Sequence, residues 1–265
     1  MSGKIESLKH LKLSQNQISQ EPQNLLKYGN DWLKQWKGKA SLVLFPKSAQ
    51  DLQNIVQWAR QYKYKLVPSG GRTGLSGGAT ALQKEVVVSF DKMNRLLDFN
   101  PWDRTVTVEA GFITQNLQEF AKEKGLYFPV SFASQGSSQI GGNIATNAGG
   151  THVLKYGNIK RYVAGLEVVT GCGEILKLGK ALIKNAVGYH LKDLFIGSEG
   201  TLAFISQATL SLVSPPNNPQ VFLIALENKD HLLEALKEFR NEISPLAFEF
   251  WTDKALKYAV SHGCV

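Results

Sequence analysis

Two glycine-rich segments constrain the fold of this 265-residue chain more than any other feature. One runs from Pro68 to Gly78 and the other from Gly136 to Gly150, and together they hold ten of the 24 glycines. Glycine has no Cβ, so backbone N–H groups beside it can approach a ligand closely. Runs of such amides form concave nests for phosphate oxygens. Either segment alone is also typical of a tight surface turn, but the pair favours a ligand with a diphosphate, such as a dinucleotide.

Two common nucleotide motifs are missing from the sequence. No Gly-x-Gly-x-x-Gly occurs, which argues against NAD in a Rossmann site. No Gly-x-x-x-x-Gly-Lys-Ser/Thr occurs, which argues against ATP in a P-loop.

Composition restricts location and metal chemistry. The longest purely apolar run is residues 221–226, too short for a membrane-spanning helix, and the first twenty residues lack the apolar core of a signal peptide. Cys172 and Cys264 cannot form a disulfide framework, and the five histidines show no metal-ligand spacing. We therefore expect no metal and a cytoplasmic location, with peripheral attachment to the inner face of the membrane as an alternative.

The positive charge is concentrated at one end of the chain. The net charge is +8, of which residues 1–65 carry +7 and residues 66–265 carry +1. A nucleic-acid-binding protein is expected to spread its charge over the fold, so no nucleic acid partner is expected. A solvated lysine-rich face explains the pattern most simply, and attraction to anionic headgroups or an acidic protein is the alternative.

Hydrophobic periodicity predicts alternating helices and strands. Strands are predicted at 41–45, 65–67, 85–90, 105–110, 126–130, 203–213, 221–226 and 246–251, with a hairpin formed by 166–170 and 174–178. Helices are predicted at 25–36, after Ser48 as part of a capping box with Asp51, from a Thr114 cap to Gly125, and at 230–242 and 253–262. In the helix at 230–242, Leu232, Leu233, Leu236 and Phe239 are predicted to face inward. The proline-rich residues 215–219 predict a boundary, giving a polar basic leader (1–37), a main domain (38–216) and the start of another (217–265).

Three segments together resemble the signatures of one family. They are residues 68–78, 140–150 and 187–202, and the resemblance covers about residues 40–216 in the same order. The family is that of FAD-linked oxidases with a PCMH-type (vanillyl-alcohol-oxidase-type) flavin domain. Within it the chain is most similar to the group of glycolate oxidase flavoprotein subunit, D-lactate dehydrogenase and D-2-hydroxyglutarate dehydrogenase. The resemblance implies an α+β fold, in which a PCMH-type FAD-binding domain of two α/β subdomains precedes the start of an α+β cap domain.

The resemblance also implies which residues bind FAD. Backbone amides of the first segment would hold the diphosphate, the second would line the diphosphate, ribityl chain and flavin edge, and the third would border the adenine–ribityl side or the flavin. The residues so implied are Gly70, Gly71, Arg72, Thr73, Gly74, Ser76 and Gly77; Ser134, Gly141, Gly142, Asn143, Thr146, Gly149 and Gly150; and Glu199, Gly200 and Ile205. Glu199, expected to be buried, is read equally well as a structural carboxylate that caps backbone amides.

One position departs from relatives that attach FAD covalently. Those relatives carry a histidine after the first Gly-Gly, where this chain has Arg72. A guanidinium cannot form that bond, although its fork suits a diphosphate, so FAD is predicted to bind non-covalently. His152 and His190 flank the motifs and could approach the flavin, but ordinary hydrogen-bonded side chains are the commoner case.

The implied reaction oxidises a D-2-hydroxy acid, such as lactate or glycolate, to the 2-keto acid by hydride transfer to flavin N5. The electron acceptor, the catalytic base and the group that anchors the substrate carboxylate are not identified, and the last two are expected beyond residue 265. We therefore expect a fragment that binds FAD with little turnover of its own. The alternatives are an FAD-binding subunit completed by a partner subunit, a non-enzymatic anion-binding module, and the reductase of enolpyruvyl-UDP-N-acetylglucosamine, against which residues 193–195 argue.

Overall fold

Two β-sheets organise the chain. The computed structural model describes residues 7–33, 35–180, 182 and 187–264. The first sheet contains β1 (Ile18–Ser19), β2 (Leu42–Leu44), β3 (Leu66–Ser69) and β4 (Val86–Ser89), in the order β1-β2-β4-β3. Strands β2, β4 and β3 are parallel, and β1 pairs with β2 in the antiparallel sense.

The second sheet is antiparallel throughout. It contains β5 (Leu96–Asn100), β6 (Thr105–Glu109), β7 (Val163–Thr170), β8 (Ile175–Gly179) and β9 (Ala203–Ser211), in the order β5-β6-β9-β7-β8. The predicted hairpin is confirmed, because β7 and β8 pair through the turn at residues 171–173. A sheet with parallel strands followed by an antiparallel one, both covered by helices, confirms the α+β class.

The helices connect and cover these sheets. They are α1 (Pro22–Tyr28), α2 (Ala49–Gln61), α3 (Thr114–Glu123), α4 (Ile140–Ala145), α5 (Val153–Tyr156), α6 (Leu232–Glu242) and α7 (Asp253–Ser261). Helix α2 packs on β7 and β9, so it joins the two sheets. Within the part of the chain that the structure describes, no helix combines the length and the apolar character needed to cross a membrane.

The start of α2 follows the predicted cap with one change. The Ser48 hydroxyl accepts a hydrogen bond from the Asp51 amide at 3.1 Å, as expected for an N-cap. The Asp51 carboxylate reaches back to the amide of Lys47, at 2.9 Å, rather than to that of Ser48. The N-cap is therefore formed. The bond from the Asp51 side chain reaches the amide one residue before the N-cap, whereas in a capping box it reaches the N-cap amide itself.

The core runs continuously through both sheets. Side chains alternate along a strand, so Leu42 and Leu44 of β2 enter the large core shared with the second sheet. Val43, between them, points to the opposite face, where Tyr28 of α1 and Phe45 complete a smaller core. Both faces of the first sheet are therefore buried, and the loops at its edge are held from two sides.

Residues 7–31, inside the predicted leader, pack against the first sheet. The indole of Trp58 donates to the Ser7 carbonyl at 2.9 Å, and the Gln17 side chain donates to the Phe45 carbonyl at 3.1 Å. Leu11 is buried in the large core. The helix predicted at 25–36 is shorter than expected and begins earlier, since α1 covers Pro22–Tyr28. The boundary at residue 37 stays a prediction.

Four local predictions about secondary structure are wrong. Residues 126–130 form only one bridge, between Tyr127 and Val213. Thr114 is the first helical residue rather than the cap, because Ile113 has the extended conformation of an N-cap. The segments 221–226 and 246–251 are not strands, since apolar residues alone do not make a strand without a paired neighbour.

Residues beyond β9 form the two expected helices but little core. Among the described residues, none after Leu212 is buried, and Leu233 of α6 is 73% exposed, so its predicted inward position is wrong. Leu232, Leu236 and Phe239, predicted to face inward with it, are half-buried. An aromatic contact there joins Phe239 and Phe248, whose ring centres lie 6.1 Å apart. The domain boundary at residue 216 stays a prediction.

Candidate functional site

The two glycine-rich segments meet and line one cleft of about 510 Å³. The first segment follows β3 and the second leads into α4, and a Cβ placed on Gly70 would lie 3.8 Å from the Cα of Gly142. Residues 199 and 200, and residues 203–205 at the start of β9, close another side of the cleft. The convergence expected from the sequence is therefore present in the fold.

Arg72 shapes the first glycine-rich segment from within. It adopts a left-handed backbone conformation with φ of 58°, and its guanidinium donates to the Gly70 carbonyl at 2.6 Å. The same group lies 3.5 Å from an Asp91 carboxylate oxygen and stacks 4.7 Å from the centre of the Tyr28 ring. The guanidinium of Arg72 is expected from the sequence to bind a diphosphate, but it already contacts Gly70, Asp91 and Tyr28 of the protein itself.

Helix α4 is pressed against the end of β6. The Gly141 amide donates to the Ala110 carbonyl at 2.7 Å, and a Cβ on Gly141 would lie 2.6 Å from the Ala110 Cβ. Gly141 and Gly142 both lie in the first turn of this helix. The Gly141 amide is already bonded, so the role of Gly141 is to let two backbones approach closely.

Polar side chains beneath the second segment fix α4 from the other side. The Asn143 amide donates to the Thr114 hydroxyl at 2.6 Å, and that hydroxyl is hydrogen-bonded to the Ser138 hydroxyl at 2.7 Å. Asn143, Thr114 and Ser138 are all buried. The Asn143 side chain therefore anchors the segment, and the Thr114 hydroxyl predicted as a helix cap serves this network instead.

The glycines of the cleft fall into two kinds. An added Cβ would meet the backbone of Ser137 and Ser138 at Gly71, and the Cβ and backbone of Ala110 at Gly141, so the protein itself requires glycine at both positions. At Gly74 and Gly142 nothing lies within 4 Å of such a Cβ, although both residues line the cleft. The second kind leaves open space where a ligand can lie against backbone.

The third segment closes the cleft through backbone contacts. The Glu199 amide donates to the Ala145 carbonyl at 2.9 Å, which ties this segment to the end of α4. Glu199 and Gly200 both have positive φ, of 51° and 77°, and Gly200 packs on Pro68. The Glu199 side chain is exposed, so the expectation of a buried carboxylate is wrong.

Most residues implied by the resemblance line the cleft. Those that do are Gly70, Gly71, Arg72, Thr73, Gly74, Ser76, Gly141, Gly142, Asn143, Thr146, Glu199, Gly200 and Ile205. Four of the implied residues lie outside the lining and shape the segments instead. Gly77 packs on Trp36, Gly149 packs on Val153, and Gly150 packs on Ser131. The Ser134 carbonyl accepts hydrogen bonds from the Ser137 and Ser138 amides.

Sequence reasoning missed several lining residues. Phe90, Ala110 and Phe204 lie at the ends of β4, β6 and β9, and their positions depend on strand register, which the sequence does not reveal. Gln139 lies inside the second segment, but no sequence pattern distinguishes it from its neighbours. The charged residues among those that line the cleft are Arg72 and Glu199.

Neither flanking histidine lines the cleft. The His152 Nδ1 is hydrogen-bonded to the Tyr127 hydroxyl at 2.8 Å, and burial lowers the pKa of His152. His190 is exposed at the start of a short 3₁₀ turn. Within the described residues, no group of three or more His, Cys, Asp and Glu side chains is arranged to hold a metal ion.

These features define a nucleotide-binding fold, and its family follows from comparison. Residues 40–179 match the model of the FAD binding domain, which covers more than half of the chain. The chain therefore belongs to the FAD binding domain family, as the three segments predicted. Its cofactor is FAD.

Proteins of this family with high similarity are known. The chain is 49% identical over 261 residues to D-2-hydroxyglutarate dehydrogenase of Stutzerimonas stutzeri, covering 98% of this chain and 56% of that protein. It is 48% identical over 246 residues to the Xanthomonas citri pv. viticola enzyme of the same name, covering 93% and 52%. The chain thus spans about half the length of these relatives.

A solved structure supports the fold. An alkyldihydroxyacetonephosphate synthase superimposes with a TM-score of 0.75 at 23% identity, over 89% of this chain and 45% of that one. This likeness concerns the architecture alone.

The cleft fits FAD in its size and in its wall. Its volume of about 510 Å³ lies within the range of small-molecule sites, about 300–1,000 Å³. The open space at Gly74 and Gly142 is a cradle that a Cβ would fill. Hydroxyl groups of Thr73, Ser76 and Thr146 line the same cleft and can contact phosphate oxygens or sugar hydroxyls.

Two glycine substitutions should separate the two kinds of glycine. Gly141→Ala should lower the free energy of unfolding by about 1–3 kcal/mol, because the new Cβ overlaps Ala110. Gly142→Ala should leave stability unchanged or raise it by up to about 1 kcal/mol, because alanine favours a helix and nothing blocks its Cβ. Urea unfolding of the protein without ligand measures both, and equal losses would contradict the distinction.

His152 should make stability depend on pH. Burial lowers its pKa in the folded state, so below about pH 6.5 the unfolded chain binds the proton more readily and stability falls as the pH decreases. His152→Gln should weaken this loss between pH 7 and pH 5, measured by urea unfolding. His231→Gln, at an exposed position, is the control and should follow the wild-type profile. A His152 variant with the unchanged profile would refute this assignment.

Proposed function

We propose that this chain is the FAD-binding part of a dehydrogenase that oxidises a D-2-hydroxy acid to the 2-keto acid. The observation that carries the proposal is the meeting of two glycine-rich segments in one cleft of an FAD binding domain. D-2-hydroxyglutarate is the first candidate substrate, because two relatives at 48–49% identity carry that name. Lactate and glycolate, the first expectations from sequence, become comparison substrates.

The residues of the cleft would bind and orient the cofactor. The diphosphate would lie against the backbone of residues 70–74, with Ser76 and Thr146 adding hydroxyl groups. Gly142 would let α4 approach the ligand, while Asn143 and Gly141 hold the helix in place. When bound, FAD supplies an acceptor at N5 for the hydride from the substrate C2.

The described cleft provides little for the substrate itself. A carboxylate substrate needs a cation, and its hydroxyl proton needs a base. Of the charged residues that line the cleft, Arg72 is paired with Asp91 and Glu199 is exposed. We therefore assign the carboxylate anchor and the base to residues outside this lining. The electron acceptor is left unassigned.

A second candidate is an FAD-binding subunit that another chain completes. The apolar run at 221–226 favours it, because Val221 is 97% exposed and Leu223 is 82% exposed. Exposed apolar surface of this kind is typical of a contact site. In that case FAD binding would be unchanged, and substrate oxidation would appear only when the other chain is added.

The purified chain should bind one FAD without a covalent bond. After acid precipitation the flavin should stay in the supernatant, because Arg72 stands at the position of the linking histidine. Gly142→Ala should weaken FAD affinity about tenfold or more, since its Cβ enters the cleft. Gly171→Ala, in a hairpin turn with open space around it, is the matched control and should bind FAD like the wild type. Flavin in the pellet, or equal affinities in titration calorimetry, would contradict this.

The substrate class is tested by anaerobic mixing of FAD-loaded protein with candidate acids. Bleaching of the flavin absorbance by D-2-hydroxyglutarate, faster than by D-lactate or glycolate, is the expected result. Bleaching restricted to lactate or glycolate would contradict the choice of substrate. Bleaching seen only after a second polypeptide is added would favour the second candidate.

A further inference from the structure

Gln139 lines the cleft and combines burial with an unpartnered polar atom. The residue is 4% exposed and lines the cleft immediately before α4. Its Nε2 donates to an Asp91 carboxylate oxygen at 2.8 Å. Its Oε1 is buried and makes no hydrogen bond within the described part of the chain. A buried carbonyl without a donor is unfavourable and rare in folded proteins.

Asp91 fixes which way the Gln139 amide points. A carboxylate only accepts hydrogen bonds, so the NH₂ end of the amide must face it and the carbonyl must face away. Asp91 is itself paired with Arg72, 3.5 Å away. Rotation of the amide would bring two oxygens together, so the Oε1 direction is determined.

The Gln139 carbonyl faces the junction of the two glycine-rich segments. A Cβ placed on Gly70 would lie 3.4 Å from Oε1 and 3.8 Å from the Cα of Gly142. A diphosphate carries no hydrogen-bond donor at neutral pH, so it cannot satisfy this oxygen. The groups next to the diphosphate in a dinucleotide are sugar and ribityl hydroxyls, which are donors.

We propose that Gln139 is a cofactor-binding residue whose side-chain carbonyl accepts a hydrogen bond from a hydroxyl next to the FAD diphosphate, with Asp91 as its positioning residue. The proposal rests on the proposed function, since it requires FAD in this cleft. It explains why a buried acceptor is oriented by a carboxylate and left without a donor in the protein. The hydroxyl would complete the network that runs from Arg72 through Asp91 to Gln139.

The test is FAD affinity in variants of the full chain, measured by titration calorimetry beside thermal melting without FAD. Gln139→Met keeps the length of the side chain and removes the carbonyl, so its FAD dissociation constant should rise about tenfold. Gln139→Asn withdraws the carbonyl by one methylene and should show a similar loss of FAD affinity. This variant takes the place of Gln139→Met in the test if the Met variant does not fold. Gln135→Met, one residue before the same segment and outside the cleft lining, is the matched control and should bind like the wild type.

The outcomes separate this inference from the proposed function. A wild-type chain that does not bind FAD would overturn both. Wild-type affinity in a folded Gln139 variant would overturn the inference and leave the proposed function intact. A third outcome is a Gln139 variant that melts well below the control without FAD and loses FAD affinity only in proportion to that loss of stability. This result would show a structural role and overturn the inference. Lost affinity at an unchanged melting temperature supports it.

Discussion

The close contact between the loop after β3 and helix α4 is the interaction on which the rest of the structure depends. It brings backbone from two distant parts of the chain together, and a side chain at Gly71 would clash with the backbone of Ser137 and Ser138. Asp91, at the end of β4, lies between the two segments and binds both Arg72 and Gln139. A cleft built this way is formed by the fold before any ligand arrives, which reduces the ordering that binding must impose.

The sequence was informative where a residue type is needed for a local reason. Glycine runs indicated close backbone approach, and the structure has that approach at Gly71 and Gly141. Alternating valines indicated β6, and serine followed by aspartate indicated the start of α2. The family and its cofactor followed from three segments in the right order. These signals are local, so they survive without knowledge of the tertiary fold.

The sequence was uninformative where a role depends on a distant partner. Arg72 suggested a phosphate ligand, but Asp91 and Tyr28, far from it in sequence, engage its guanidinium. Thr114 suggested a helix cap, but Asn143 and Ser138 use its hydroxyl. Residues 96–100 form β5 without clear alternation, because pairing with β6 rather than side-chain pattern holds them. The apolar run at 221–226 is the converse case, with strand propensity and no paired strand.

The described chain thus brings two glycine-rich segments together in one cleft of an FAD binding domain. Hydrogen–deuterium exchange with and without FAD tests the central claim most directly, because it reports on both glycine-rich segments in one experiment. The account predicts slower exchange on FAD binding in residues 70–78 and in residues 139–146 together. Slower exchange in only one of these segments, while FAD is bound, would contradict a shared site.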